Sequence, residues 1–473
     1  MTDRIAVIDQ GSTATKGAVF AADGTQIFAT AAPTRTHVDG ARIEHNPASI
    51  AETVRTILQQ LLSQGGVRTI GLTCQRSTCL VWERRTGRPV TSARSWQDTS
   101  CARDAAAMIE HEPEVVSRTG LRLSPHYAGL KLSRLLGEIP SGREKAADGE
   151  LIAGTLDAFL TRQLVGKDAT EAGHAGRTLL YNLEHGTWDP RLCEIFDVPQ
   201  RCLPDLVHSA SVRGEFDGVP LSGVCGDQQA ALMGHGGWEE GVVASHFGTG
   251  AFVLGSVGDS PIRHRGLLSA AVATTTTSKR FQLEGSVNSA GSAIDRMCRL
   301  LGMSLSELPD HTIVAEKVPW VVPAFSGLGA PWWTPEAGAL VDGLRLDHTP
   351  EDLVAGTLLG VAMRVLDNLE ALRDAGLATQ TLRVSGRLTR LEGLCRLLAD
   401  VGQIPVAVSL EEETGLAGVA RLALVGLGGD ESALLLTPAS SATYEPSWSP
   451  ERAAAARSRW RSLVRSAIDS TRA

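Results

Sequence analysis

Two turns rich in glycine and threonine, each set between apolar strands, carry the strongest chemical signal in this 473-residue chain. The first closes the run Arg4-Ile5-Ala6-Val7-Ile8-Asp9-Gln10-Gly11-Ser12-Thr13-Ala14-Thr15-Lys16. The second lies within Val242-Val243-Ala244-Ser245-His246-Phe247-Gly248-Thr249-Gly250-Ala251-Phe252. Glycine lets backbone N–H groups approach an anion, and hydroxyls add donors without bulk. Two such turns, far apart in sequence, can clamp one polyphosphate between two domains. A single turn of this kind is also what a plain β-hairpin needs. The pair, with Asp9 at the end of the first strand, favours phosphoryl transfer. That chemistry needs a base near the attacking hydroxyl. Asp227 follows the small-residue strand Gly223-Val224-Cys225-Gly226 and offers a carboxylate at a strand end. Its type and spacing equally suit a cap on the helix expected over 228–233.

Patterning shows the elements that must hold these groups. Asp23-Gly24 between apolar runs predicts a hairpin. Asn46 and Pro47 predict a helix start, as N-cap and first helical position. Ile50, Val54, Ile57, Leu58 and Leu61 continue it at helical spacing, and Gly65 ends it. A strand over 69–74 and a turn at Thr86-Gly87-Arg88-Pro89 follow. This β-β-β-α-β order differs from a plain dinucleotide-binding unit, which has no leading hairpins. The strand-hairpin signature restarts at Val242, with further strands at 252–255, 267–270 and 281–285. A helix over 350–372 with Thr349 as N-cap, a strand over 381–386 and a helix from about 391 complete that half. Two halves of similar architecture result. The end, 450–473, reads as a charged amphipathic helix with Trp460, Leu463 and Val464 on one face.

Composition narrows the partners. A formal charge of −8 and the lack of a long basic run argue against nucleic acid or an anionic membrane. The hydrophobic fraction of 43% with only 4% aromatics predicts cores of Ala, Leu and Val. Cys74, Cys79, Cys101, Cys193, Cys202, Cys225, Cys298 and Cys395 form no CxxC pair and no zinc-like spacing with histidine. Reduced thiols in a cytoplasmic protein are expected, with no leader and no membrane span.

Six segments together resemble the FGGY family of carbohydrate kinases, and within it the glycerol kinase branch most closely. They are Ile8-Asp9-Gln10-Gly11-Ser12-Thr13, Gln75-Arg76, Ser95-Trp96-Gln97-Asp98, the run 223–229, His246-Phe247-Gly248-Thr249-Gly250 and the run 322–333. The resemblance covers nearly the whole chain, and the runs 226–232 and 323–333 are its specific parts. It implies an α/β fold of two actin-like, RNase H-like ATPase domains with a central cleft. The N-terminal domain, 1–240, would bind the acceptor, and the C-terminal domain, 241–473, the nucleotide. The implied reaction is ATP-dependent phosphorylation of a hydroxyl of a polyol or sugar, with Mg²⁺. A homodimer is a further expectation.

Residue by residue, the resemblance makes Asp227 the catalytic base and gives Asp9 the metal, through water. Gly11, Ser12, Thr13 and Lys16 form the first phosphate loop, and Gly248 and Thr249 the second. Gly291 opens a helix toward the nucleotide, and Gly386, Arg387 and Leu391 occupy the adenosine loop. Arg76, Ser77, Trp96, His126, Asp227 and Gln228 fall in the acceptor site. Arg76 offers paired hydrogen bonds to a diol, and Trp96 a flat face to a carbon backbone. Plain alternatives stand beside four of these: a turn-satisfying Asp9, a solvated Lys16, a core-packing Trp96 and a simple turn at Gly291.

The pattern also breaks. Ser77 stands where the family has Glu, and His126 where it has Tyr. Asn288 stands where an apolar aromatic is expected, and so joins the acceptor set as a polar wall. These changes point away from glycerol toward a larger or more polar acceptor. Arg387 replaces a glycine where backbone should pass close to the nucleotide, and Leu391 replaces an Asn. A catalytically reduced binding or regulatory member of the family is the alternative that this second break raises.

Overall fold

Three antiparallel strands open each half of the chain, and each trio feeds a parallel pair. The computed structural model describes residues 4–304, 315–411, 413–436 and 438–471. In the first half Arg4–Gln10, Ala14–Ala21 and Gln26–Pro33 run antiparallel, Val67–Cys74 lies parallel beside Arg4–Gln10, and Val219–Gly226 lies parallel beside Val67–Cys74. Ala210–Phe216 closes the edge in antiparallel fashion. In the second half Val243–Phe247, Ala251–Gly258 and Lys279–Val287 form the trio. Leu382–Ser385 and Val406–Ser409 form the parallel pair, and Ser440–Tyr444 the antiparallel edge. Leu268–Thr274 is an addition outside Lys279–Val287. The sequence placed it between its two neighbours in chain order, whereas in the sheet it lies beyond both.

Local signals explain the helices. In Pro47–Leu62 the Asn46 side chain accepts from Ser49 N, and Ile50, Val54, Ile57, Leu58 and Leu61 face the core. Ser63 caps that helix before the left-handed Gly65 and Gly66. Pro350–Asp374 begins with a capping box between Thr349 and Asp352. Pro450–Asp469 buries Trp460 and Val464. The Asp367 carboxylate takes the indole N–H of both Trp460 and Trp332, together with Arg364 and Arg457. That buried knot binds the last helix and the run 323–333 to Pro350–Asp374.

The helix Thr414–Gly426 belongs to the second half in sequence but packs on the first sheet. A Cβ at Gly223 would meet Ala423 N at 2.5 Å, and one at Gly71 would meet the Val419 carbonyl oxygen at 2.9 Å. All eight cysteines are buried, and none is joined in a disulfide. Among the described residues no helix is long and apolar enough to cross a membrane.

Candidate active site

Asp227 is the first residue of the helix Asp227–Gly234, at the end of the strand Val219–Gly226. Its Oδ1 accepts from Gln228 N at 2.7 Å and meets Arg76 Nε at 3.1 Å. The side chain is 34% exposed, so a solute can reach it. Arg76 follows the neighbouring strand Val67–Cys74 and reaches Asp227 because residue 226 is glycine. A Cβ there would lie 2.8 Å from the Arg76 Cγ and Cδ atoms.

The Arg76 fork is already engaged. Its terminal nitrogens donate to Glu284 at 2.7 and 3.1 Å, and Nη1 reaches the Gln229 side-chain oxygen at 3.4 Å. The paired grip on a diol expected for Arg76 is therefore spent on a carboxylate of the second half. Glu284 is buried and also accepts from Arg177. Burial would raise its carboxyl, but Arg177 and Arg76 outweigh burial and hold it at about 2. Tyr127 is buried within the same cluster, its phenol raised by burial and tempered by Arg177. Phe252 lies half-buried with its ring centroid 5.8 Å from the Arg76 guanidinium carbon. Glu284, Arg177, Tyr127 and Phe252 escaped the sequence reading. An aromatic flanked by the Thr249 loop was a signal for Phe252, and a lone acid in an apolar strand a signal for Glu284.

Asn288 is exposed, and the half-buried Phe252 stands on the neighbouring strand Ala251–Gly258. The Asn288 amide donates to the Ser326 carbonyl at 3.1 Å, which pins the run 323–333. Trp96 is 37% exposed, so it is not a core tryptophan. Its backbone N–H donates to Thr78 Oγ1 at 3.1 Å, and its carbonyl lies 3.0 Å from His126 Nδ1. His126 is open to solvent yet crowded enough by protein that its ring titrates below the ordinary value. Ser77 is buried with φ +63°, a conformation that bulky side chains avoid. Gln228 keeps a buried side-chain oxygen without a partner.

The two phosphate turns differ in their support. Gly11 N bonds the Ala14 carbonyl at 2.9 Å, while Ser12 is half-buried and Thr13 exposed. Lys16 pairs with Glu413 at 2.5 Å, both about two-fifths exposed. In the second turn Gly248 and Thr249 are exposed and rest on the helix Gly291–Leu301. Gly291 N donates to Gly248 O at 3.1 Å, and Ser292 N donates to Thr249 O at 2.9 Å. A Cβ at Gly291 would sit 2.5 Å from that Gly248 oxygen, so the glycine is what lets the turn dock. Gly291 therefore opens a helix, as expected.

Asp9 is half-buried, and its Oδ1 is an orphaned buried oxygen. Burial and the charge of Asp227 raise its carboxyl to about 7, against the opposing pull of Lys16. A cation beside it would satisfy that oxygen. Among the described residues no cluster of three metal-ligating side chains exists. Magnesium suits such a setting, since it uses one or two carboxylates, its own waters and substrate phosphates.

Gly386, Arg387 and Leu391 follow the strand Leu382–Ser385, which lies parallel beside Val243–Phe247. Gly386, at φ +99°, abuts the Phe247 carbonyl where a Cβ would lie 2.3 Å away. The chain then turns outward. The Arg387 side chain is 67% exposed and lies 3.6 Å from Asp295. Leu391 packs against the core of the second half.

The model of the FGGY family of carbohydrate kinases matches in both parts, the N-terminal domain over 4–234 and the C-terminal domain over 243–427. A glycerol kinase of Trichlorobacter lovleyi is 35% identical over 489 aligned positions, covering 97% of this chain and 98% of that protein. One of Methylobacterium nodulans is 36% identical over 455 positions, with 90% of each chain covered. Among solved structures, a Plasmodium falciparum glycerol kinase with ADP superposes with a TM-score of 0.92 at 25% identity, covering 99% of this chain and 98% of that one. A xylulose kinase of Rhodospirillum rubrum shares the fold, with a TM-score of 0.87 at 19% identity over 99% of this chain and all of its own. With matches over nearly its whole length, this chain belongs to the FGGY family of carbohydrate kinases, enzymes that phosphorylate a polyol or sugar hydroxyl at the expense of ATP.

Proposed function

We propose that Asp227 is the general base of this kinase and that the acceptor is a polyol longer than glycerol or a sugar. The observation that carries the first part is the placement of Asp227 Oδ1 against Gln228 N and Arg76 Nε. Both hold one oxygen and leave Oδ2 to take the proton of the attacking hydroxyl. Arg76 keeps the carboxylate in place, Phe252 gives the carbon chain an apolar face, and Trp96 with His126 forms the outer rim. Gln228 offers its unpartnered oxygen to a substrate hydroxyl. The backbone amides of Ser12 and Thr13 and of Thr249 face the phosphates from the two halves, while those of Gly11 and Gly248 close their own turns. Asp9 holds magnesium, which neutralises phosphate charge when bound. The acceptor's size is argued from Ser77 and His126, both smaller or more polar than the family's residues there.

Paired acid groups favour an active kinase over a reduced one, because a binding protein has no need of both Asp9 and Asp227. A cytoplasmic homodimer completes the reading, and light scattering tests the assembly. The main experiment is a coupled ADP-release panel over glycerol, longer polyols, ketoses and aldoses, run with the parent and with Asp227→Asn. The variant is expected to lose about 10²-fold or more in turnover while still binding acceptor. A variant within a few-fold of the parent rules out Asp227 as base. Glycerol giving the highest kcat/KM of the panel rules out the larger acceptor.

A further inference from the structure

Glu284 belongs to none of the motifs that mark the site, yet it is the most heavily bonded side chain beside it. It stands on Lys279–Val287 in the second half, 2% exposed. Its carboxylate accepts from both terminal nitrogens of Arg76, from Arg177 at 2.5 Å and from the Gln282 amide at 3.1 Å. Both arginines come from the first half and are themselves buried. The cluster therefore joins the two halves directly behind Asp227.

A buried guanidinium must be paired, because an uncompensated charge in the interior is strongly unfavourable. Arg76 has two carboxylates within reach. Glu284 takes the forked end, the stronger two-bond geometry, and Asp227 receives only the single Nε edge at 3.1 Å. Without Glu284 the forked end has one carboxylate left to satisfy it. That partner is Asp227, and a forked pair there would occupy both oxygens of the proposed base.

We propose that Glu284 is a positioning residue of the acceptor site: it holds the forked end of Arg76 away from Asp227 and so keeps Asp227 Oδ2 open to the acceptor hydroxyl. The inference rests on the reading of Asp227 and Arg76 as acceptor-site groups. It also makes the first half's site depend on a carboxylate of the second, so the base is correctly set only while the halves keep their present seating.

Glu284→Gln keeps the shape and removes the charge. The expected result is at least a tenfold rise in acceptor KM together with at least a tenfold fall in kcat, with the KM for ATP within twofold of the parent. A loss of folded protein alone lowers kcat and leaves both KM values where they were, and that pattern overturns the proposal. Glu284→Asp, which retains the charge on a shorter arm, is expected to recover part of the loss. A second measurement needs no substrate. Asp227 and Glu284 share Arg76 as a partner, so their effects on thermal unfolding are coupled, and the sign of the coupling reports where Arg76 goes. Asp227→Asn is expected to lower Tm by several degrees more in the Glu284→Gln background than in the parent, because Arg76 has moved onto Asp227. Equal shifts in both backgrounds overturn the proposal even where no acceptor has been found, whereas a parent inactive on every acceptor counts against the functional reading alone. Should neither Glu284 variant fold, the residue is a structural strut and the proposal falls.

Discussion

Gly418 lies so close to Ala230 that a Cβ at position 418 would stand 2.0 Å from the Ala230 carbonyl oxygen. Gly234 meets the same helix in return, where a Cβ would stand 2.0 Å from the Thr414 carbonyl oxygen. The helix that begins at Asp227 is thus seated backbone to backbone on Thr414–Gly426. Gly418→Ala is expected to cost about 1–3 kcal/mol, because the obstacle is main chain that cannot rotate aside. Gly415 lies on the same helix with nothing closer than 3.9 Å to its missing Cβ. Gly415→Ala is expected to be neutral or to stabilise by about 0.4–1 kcal/mol. Urea unfolding of the two variants checks the contrast, and equal midpoints would refute the seating.

Asp9 ties metal binding to pH. Its carboxyl is raised from the model-compound value of 3.8 to about 7, first by burial and then by Asp227. In the metal-free protein it therefore carries a proton below about 7. A proton and Mg²⁺ compete for the same oxygens, so Mg²⁺ affinity should climb about tenfold per pH unit up to that point and level off above it. The fold alone behaves oppositely. The raised value means that stability is present below the unfolded value and is lost as pH rises through the folded one. Calorimetric Mg²⁺ titrations at pH 5.5, 6.5 and 7.5 decide the matter, with Asp9→Asn as control. A midpoint that does not move with pH contradicts it.

Phe252 should matter to the acceptor and not to the nucleotide. Its ring is half-buried beside Arg76, where truncation to Ala removes an apolar wall and frees the guanidinium's neighbour space. Losing that contact area is worth about 1.5–3 kcal/mol, or roughly ten- to a hundredfold in acceptor KM. Steady-state kinetics with each substrate varied in turn would show it. A change confined to the KM for ATP would mean that Phe252 faces the other side of the reaction.

Arg387 should be nearly silent. Its partner Asp295 is half-exposed and 3.6 Å away, a surface pair of the kind worth about 0–1 kcal/mol. Arg387→Gly is expected to leave the KM for ATP within about twofold, since no phosphate contact and no obstruction is removed. A fivefold change in either direction would return this residue to the nucleotide site.

These expectations show which parts of the molecule its sequence displays. The caps at Asn46 and Thr349 were readable because a cap is settled within four residues of chain. The two turns and Asp227 were readable because their residue types are dictated by backbone geometry and charge. The strand Leu268–Thr274 was readable as a strand but not in its place, since pairing with Lys279–Val287 on the far side is a tertiary choice. Arg76 was identified without its real partner, because Glu284 lies 208 residues away. The exposed setting of the Arg387 side chain was not readable, because it follows a positive φ at Gly386, and a glycine in a sequence does not disclose which way it bends.

The eight buried thiols have a consequence for how the enzyme is lost. While the chain is folded, an oxidant in solution meets no exposed thiol, and burial raises the Cys79, Cys193, Cys202 and Cys395 thiols to about 12, far from the reactive thiolate. Each excursion to the open chain exposes all eight at once and returns them toward ordinary acidity. In air the unfolded chain would then cross-link before it could refold, so inactivation becomes a one-way process timed by the opening rate. A reductant in the buffer should lengthen the enzyme's working life at elevated temperature without changing its rate of turnover.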